Sequence, residues 1–176
     1  MRTALSIAGV TIFVLTAAGT ALAQGSGAEA RLKLLNITLP ADQAPAANFV
    51  NSVQAGKLLF LSGNTPGGQW PLKGKVGKDL TIEQGYESAR QTGLIMLGKI
   101  RTALGSLDRV KRVVKVLGMV NSADGFSDQP RVVNGFSDLM VEVFGEAIGK
   151  HARSAVGMAG LPGNAPIEVE MIVEVE

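Results

Sequence analysis

The C-terminal segment constrains the fold more than any other part of the chain. From Ile167 to Val175 the residues alternate: Ile167, Val169, Met171, Val173 and Val175 fall on one side, and Glu168, Glu170 and Glu174 on the other. Successive side chains of a strand point to opposite faces, so this pattern predicts a strand with one face against a core and the other toward water or a partner. A strand of that kind requires a sheet covered on one side by other elements.

The rest of the sequence supplies those elements. Phe49–Val53 and Leu58–Ser62 read as strands joined by the turn Ala55-Gly56-Lys57. Val110–Val120 is long and β-branched, with Val114, Val116, Gly118 and Val120 on one face and Val113, Lys115, Leu117 and Met119 on the other, as in a central strand. Arg153–Ala159 is a further strand, ended by Gly160-Leu161-Pro162-Gly163. Thr81 with Gln84 three residues on makes a capping box for a helix whose apolar residues Ile82, Tyr86, Ala89, Leu94, Leu97, Ile100 and Leu104 recur at helical spacing up to Gly105. Asp128–Phe144 predicts a second helix, with Pro130 in its first turn. Gly63–Gly77 is loop, with a short strand at Lys75-Val76. The order β-β-(β)-α-β-α-β-β predicts an α+β two-layer sandwich, a mixed sheet with two helices on one face. Two helices cannot shield both faces, so association of several copies is the economical way to cover the other.

Met1-Arg2, the apolar run Ala4–Ala18 and Ala21-Leu22-Ala23 follow the order of a secretory signal peptide, giving residues 1–23 as a cleaved leader and the protein as secreted or periplasmic. Residues 24–34 are expected to be a flexible mature N-terminus, and 35–176 a single domain whose first part, Leu35–Pro45, is an extended arm. Seventeen Lys and Arg against fifteen Asp and Glu leave no electrostatic footprint for nucleic acid. With no cysteine and one histidine, His151, the chain has no thiol nucleophile and no multi-histidine metal site of its own. The Gly63-Asn64-Thr65-Pro66-Gly67-Gly68 run lacks the Lys-Ser/Thr ending of a phosphate cradle. Trp70 reads as a packing residue and His151 as a surface or loop residue.

The chemistry-bearing pattern lies near the C-terminus. A strand starting with Arg153 is followed by the Leu161-Pro162 turn and a strand carrying Glu168 and Glu170. Arginine offers a planar fork of donors that suits a carboxylate. If the two strands are antiparallel neighbours, Arg153 and Glu168 come into one region. From spacing alone a structural Arg–Glu pair on the sheet is the commoner outcome.

Ala47-Asn48-Phe49-Val50, Leu58-Leu59-Phe60-Leu61-Ser62-Gly63, Gly74-Lys75-Val76-Gly77, Glu83-Gln84, Asn134, Arg153-Ser154, Leu161-Pro162 and Ile167-Glu168-Val169-Glu170 together resemble the Rid (reactive intermediate deaminase, YjgF-type) family. The resemblance runs from about Leu35 to Val175. It implies a chorismate-mutase-like fold, a homotrimer with ligand clefts between subunits, and hydrolysis of short 2-imino or 2-enamino acids to 2-keto acids and ammonia without cofactor or metal. It further implies Arg153 as the residue binding the substrate carboxylate and Glu168 as the one handling water and protons. Gly63 and Ala155 stand where the family contributes backbone groups, Asn134 matches a helix asparagine of the site, and Phe49 holds a substrate-binding position. Phe49 replaces a tyrosine of many members, and Ala155 a cysteine. The alternative is a non-catalytic module binding a small carboxylate, as sensor or scavenger, in the same cleft. RNA cleavage, a label attached to this family, draws little support from one histidine and near-balanced charge.

Overall fold

The capping box at Thr81 forms as the sequence predicts and starts the longest helix among the described residues. In the computed structural model, which describes residues 27–45 and 47–176, α2 runs Ile82–Leu104. Gln84 N donates to Thr81 Oγ1 and Thr81 N to Gln84 Oε1, and Gly105 ends the helix in the left-handed region at φ 80°. The second predicted helix is α3, Gln129–Phe144. α2 and α3 pack closely because a side chain on Gly135 would collide with the Tyr86 carbonyl and one on Gly93 with Leu139. Their inner faces (Leu97, Ile100, Phe136, Leu139 and Met140) are fully buried, each such side chain contributing about 2–3 kcal/mol by leaving water.

These helices cover one face of a five-stranded sheet of order β1-β2-β5-β3-β4. The strands are β1 Ser52–Ala55, β2 Leu58–Asn64, β3 Val110–Asn121, β4 Ala152–Met158 and β5 Ile167–Val175. β1 starts later than Phe49. The β1–β2 turn is two residues, with Gly56 supplying the positive φ of 60° that a tight hairpin needs. β5 pairs antiparallel with both β2 and β3, and its alternating apolar residues are all buried against the helices. β3 corrects the expected face assignment. A bulge between Val113 and Lys115 turns Val113 inward with Val116, Gly118 and Val120, whereas strict alternation puts it outside.

Two expectations are overturned. β4 is not the antiparallel neighbour of β5: it pairs in parallel with β3, which lies between them. A parallel partner needs a crossover, and α3 with the short α4, Glu146–Gly149, provides it. The described part of the segment expected to be a flexible N-terminus, residues 27–34, is not a loose tail either. Ala28–Leu34 forms α1, with Ala28 and Leu32 buried. Glu29 anchors this helix by accepting from Arg101 through both carboxylate oxygens and from Leu107 N, and Asp108 accepts from Glu29 N at its start. The leader expected at residues 1–23 lies outside the described residues.

The second face of the sheet has no covering element among the described residues. It exposes Val53, Leu58 and Phe60 at one end and Val156 and Met158 at the other. Exposed apolar residues on an uncovered sheet face are what a contact between chains can bury.

Candidate functional site

Glu168 begins β5 opposite Met119 of β3 and projects from the open face. A second bulge, between Leu61 and Asn64 of β2, lifts Gly63 out of register beside it. A Cβ on Gly63 would run into the Glu168 carboxyl group, so the glycine makes room for the acid. Both residues border a cleft of about 970 Å³ whose walls include Phe49, Thr65, Trp70 and Lys99. Burial, reinforced by the negative charge of Glu170, raises the pKa of Glu168 above the ordinary glutamate value. No side chain or backbone donor bonds to the Glu168 carboxylate among the described residues, and it takes part in no ion pair there.

The cleft wall contains residues that sequence reading missed. Gln91, Ile95 and Lys99 recur every four residues along α2 and form a stripe on it. Lys99 is buried, donating to Asn51 Oδ1 at 2.6 Å and lying 3.5 Å from Asp42 Oδ1. Its helical spacing from Ile95 was visible, but the partners reach it from the arm before β1, a non-local contact. Trp70 is a packing residue, as expected: its Nε1 donates to Ser88 Oγ of α2 at 2.9 Å. It also lines the cleft.

Arg153 occupies a different place. It pairs with Val116 on the edge strand β4, so its side chain leaves the sheet on the helix side. There Nη1 donates to Asn134 Oδ1 at 2.9 Å and to Ser137 Oγ at 3.0 Å, and Nη2 makes a long contact of 3.4 Å with the Pro130 carbonyl. Pro130, Asn134 and Ser137 follow the i, i+4, i+7 spacing of one helix face. Partial burial draws the guanidinium pKa down and the Asp138 carboxylate opposes it; an arginine stays charged at any physiological pH. Ala155 points the same way from the next inward position of β4, against Gly118, where Val133 leaves no room for a Cβ. His151 is no surface residue: it is half-buried and reaches Ser137 Oγ, the hydroxyl that also holds Arg153.

The chain therefore carries two half-sites. One gathers Phe49, Gly63 and Glu168; the other gathers Asn134, Arg153 and Ala155. Arg153 and Glu168 do not meet within one chain, because they leave the sheet on opposite faces. Their Cα positions are roughly 14 Å apart, taking about 3.3 Å per residue along a strand and about 4.8 Å between strands. The structural ion pair that spacing favoured is thus excluded within the chain. Each half instead presents a half-buried ionisable group without a counter-charge in contact, which costs free energy. Among the described residues, no three His, Asp or Glu side chains gather to hold a metal ion, and no helix is long and apolar enough to cross a membrane.

Over residues 29–175 the chain matches the family described as "YjgF/chorismate_mutase-like, putative endoribonuclease". It is 47% identical over 149 residues to Protein TCP17 of Trypanosoma cruzi, an alignment covering 82% of this chain and 92% of that protein. Among solved structures it is similar to the protein Atu1372, of unknown function, from Agrobacterium tumefaciens, at 40% identity and a TM-score of 0.76, over 84% of this chain and 91% of that one. It is also similar to a Shewanella oneidensis protein named a putative endoribonuclease, at 30% identity and a TM-score of 0.81, over 85% of this chain and all of that one.

Proposed function

The chain belongs to the YjgF/chorismate-mutase-like family, and from that membership we propose that it hydrolyses short 2-imino acids to 2-keto acids and ammonia in a cleft shared by two copies of the chain. The observation that carries this reading is the pair of half-buried groups of opposite charge, Arg153 and Glu168, each without a counter-charge in contact, on opposite faces of the sheet. A second copy docked on the open apolar face brings its Arg153 half-site toward the Glu168 half-site of the first. The exposed residues Val53, Phe60 and Val156 supply the reason to associate.

In such a cleft the two charges divide the work. Arg153, fixed mainly through Nη1, keeps Nε and one Nη2 hydrogen for the substrate carboxylate, its Nη2 contact with the Pro130 carbonyl being long. A protonated imine is already electrophilic, so orientation and one acid–base group suffice. Glu168 takes a proton from water as the water oxygen bonds to C2. It then returns that proton to the nitrogen. As the C2–N bond breaks, the C2 hydroxyl gives its proton by way of Glu168 to the departing ammonia, and ammonium and the keto acid leave. A glutamate whose pKa is raised toward working pH is suited to both transfers. No metal or cofactor enters these steps.

The endoribonuclease name carried by relatives asks for a base and an acid near a ribose hydroxyl and a basic track for phosphates. The one histidine has its Nδ1 committed to a backbone carbonyl, and the charges of the chain nearly balance. A non-catalytic carboxylate binder is the second reading, favoured by Phe49, whose ring borders the cleft without a hydroxyl to hold water.

The test is ammonia and keto-acid release from freshly generated 2-iminobutyrate, with Arg153→Ala and Glu168→Gln as controls. Turnover lost in both variants supports deamination. Keto-acid binding without imine turnover in the parent protein supports the binding module.

A further inference from the structure

We propose that His151 is a positioning residue for Arg153, acting through the hydroxyl of Ser137, and that its protonation loosens the carboxylate grip. The inference rests on the reading of Arg153 as the carboxylate anchor.

The proton inventory of the three side chains leaves one arrangement. The Gly149 carbonyl can only accept, and His151 Nδ1 lies 2.6 Å from it, so Nδ1 carries a hydrogen. In the neutral ring Nε2 is then bare, and the Ser137 hydroxyl, 3.0 Å away, donates to it. With its hydrogen committed, the Ser137 oxygen turns a lone pair to Arg153 Nη1, also at 3.0 Å. Asn134 Oδ1 takes the other Nη1 hydrogen. The guanidinium is thus held mainly at Nη1 by two acceptors, with only the long 3.4 Å contact from Nη2 to the Pro130 carbonyl beside them, so Nε and the second Nη2 hydrogen can meet a carboxylate side-on.

Adding a proton to Nε2 reverses the chain. Imidazolium must donate to Ser137, whose own hydrogen is then displaced, and two cations share one hydroxyl. The charged groups around the pair do not offset this. Arg153, from β4, opposes a positive ring, and Asp138 of α3 acts on Arg153. Glu146 and Lys150, flanking α4, are paired with each other on the surface, and Lys115 of β3 bonds Ser154 on the opposite sheet face. Burial, opposed by the Gly149 bond and aided by Arg153, lowers the His151 pKa below its ordinary value. The switch therefore operates on the acid side of neutrality.

The chain has a single histidine, so the imidazole nitrogens of tag-free protein identify themselves in long-range proton–nitrogen spectra. The expected result is an Nδ1-protonated ring, with Arg153 Nη resonances, assigned by comparison with Arg153→Lys, resolved at pH 7.5 and merging as the ring titrates. Ser137→Ala should merge them at every pH. His151→Gln, whose side-chain oxygen can accept the same Ser137 proton, should keep them resolved and abolish the pH dependence. In turnover, Ser137→Ala should raise KM about tenfold with kcat nearly unchanged, the loss expected for one hydrogen bond to a charged group. Arg153 resonances indifferent to both Ser137→Ala and the His151 titration overturn the proposal. A parent protein that releases no ammonia sinks the deaminase reading instead, while the resonances still decide the relay.

Discussion

Arg153 and Glu168 leave the same sheet on opposite faces, one opposite Val116 and the other opposite Met119 of the strand between them. A ligand cannot touch both in one chain. If the site is shared, two disabled proteins can repair each other. Arg153→Ala and Glu168→Gln, each inactive alone, are expected to regain about one quarter of parental activity after equimolar mixing and reassembly, since about one interface in four pairs the two intact halves. Ammonia release measures it. No recovery in a mixture shown by mass spectrometry to be hybrid would end the shared-cleft model.

Gly63→Ala tests the contact that gives Glu168 its space. The added methyl meets the carboxyl directly, while Gly63 itself is exposed and needs no unusual backbone conformation. Turnover should fall by about tenfold to a hundredfold, because small misplacements of a reacting group are expensive. The unfolding midpoint should shift little, as for other exposed substitutions.

The raised pKa of Glu168 has two consequences of opposite sign. As a base it must be ionised, so kcat/KM should climb with pH through a value above the ordinary glutamate pKa. As a buried acid it favours folding when protonated: that contribution is full below the unfolded pKa and is lost as pH rises through the folded one. Glu168→Gln should therefore be inactive yet more resistant to urea than the parent at neutral pH.

His151 carries the reverse linkage. Its pKa is lowered by folding, so its contribution is full above the ordinary histidine value and is lost as pH falls through the folded value. Thermal scans between neutral pH and about pH 5 should show a decline in the parent that His151→Gln flattens.

Glu29 fastens α1 to the body of the protein. Burial works against its charge, but the Leu107 N–H and Arg101 outweigh it and hold its pKa low. The Arg101 contact is partly exposed, so most of the effect should come from the bond to the Leu107 backbone. Glu29→Ala is expected to cost about 1–2 kcal/mol in urea unfolding and to free α1 to rapid amide exchange.

Local patterns were legible in the sequence, and non-local pairings were not. Thr81 with Gln84, and the alternation from Ile167 to Val175, depend on neighbours in the chain, and both formed as read. The parallel docking of β4 on β3 depends on a crossover through α3, and no residue of Ala152–Met158 announces it. That pairing decides which way Arg153 points, so the pair of residues was found and its geometry was not. α1 is too short to show a period, and Arg101, Leu107 and Asp108, which hold it, lie far along the chain. Val113 was misplaced because a bulge is invisible to alternation.

The crossover carries one more implication. Pro130, Asn134, Ser137, His151, Arg153 and Ala155 all belong to a single unbroken stretch of chain, while Phe49 and Gly63 come from a stretch before it and Glu168 from one after it. The cluster around Arg153 is thus a cassette that recombination between relatives can exchange through two junctions, leaving Phe49, Gly63 and Glu168 as they stand. Under the proposed reaction, ligand preference can drift in this scaffold while the chemistry performed on the ligand is preserved.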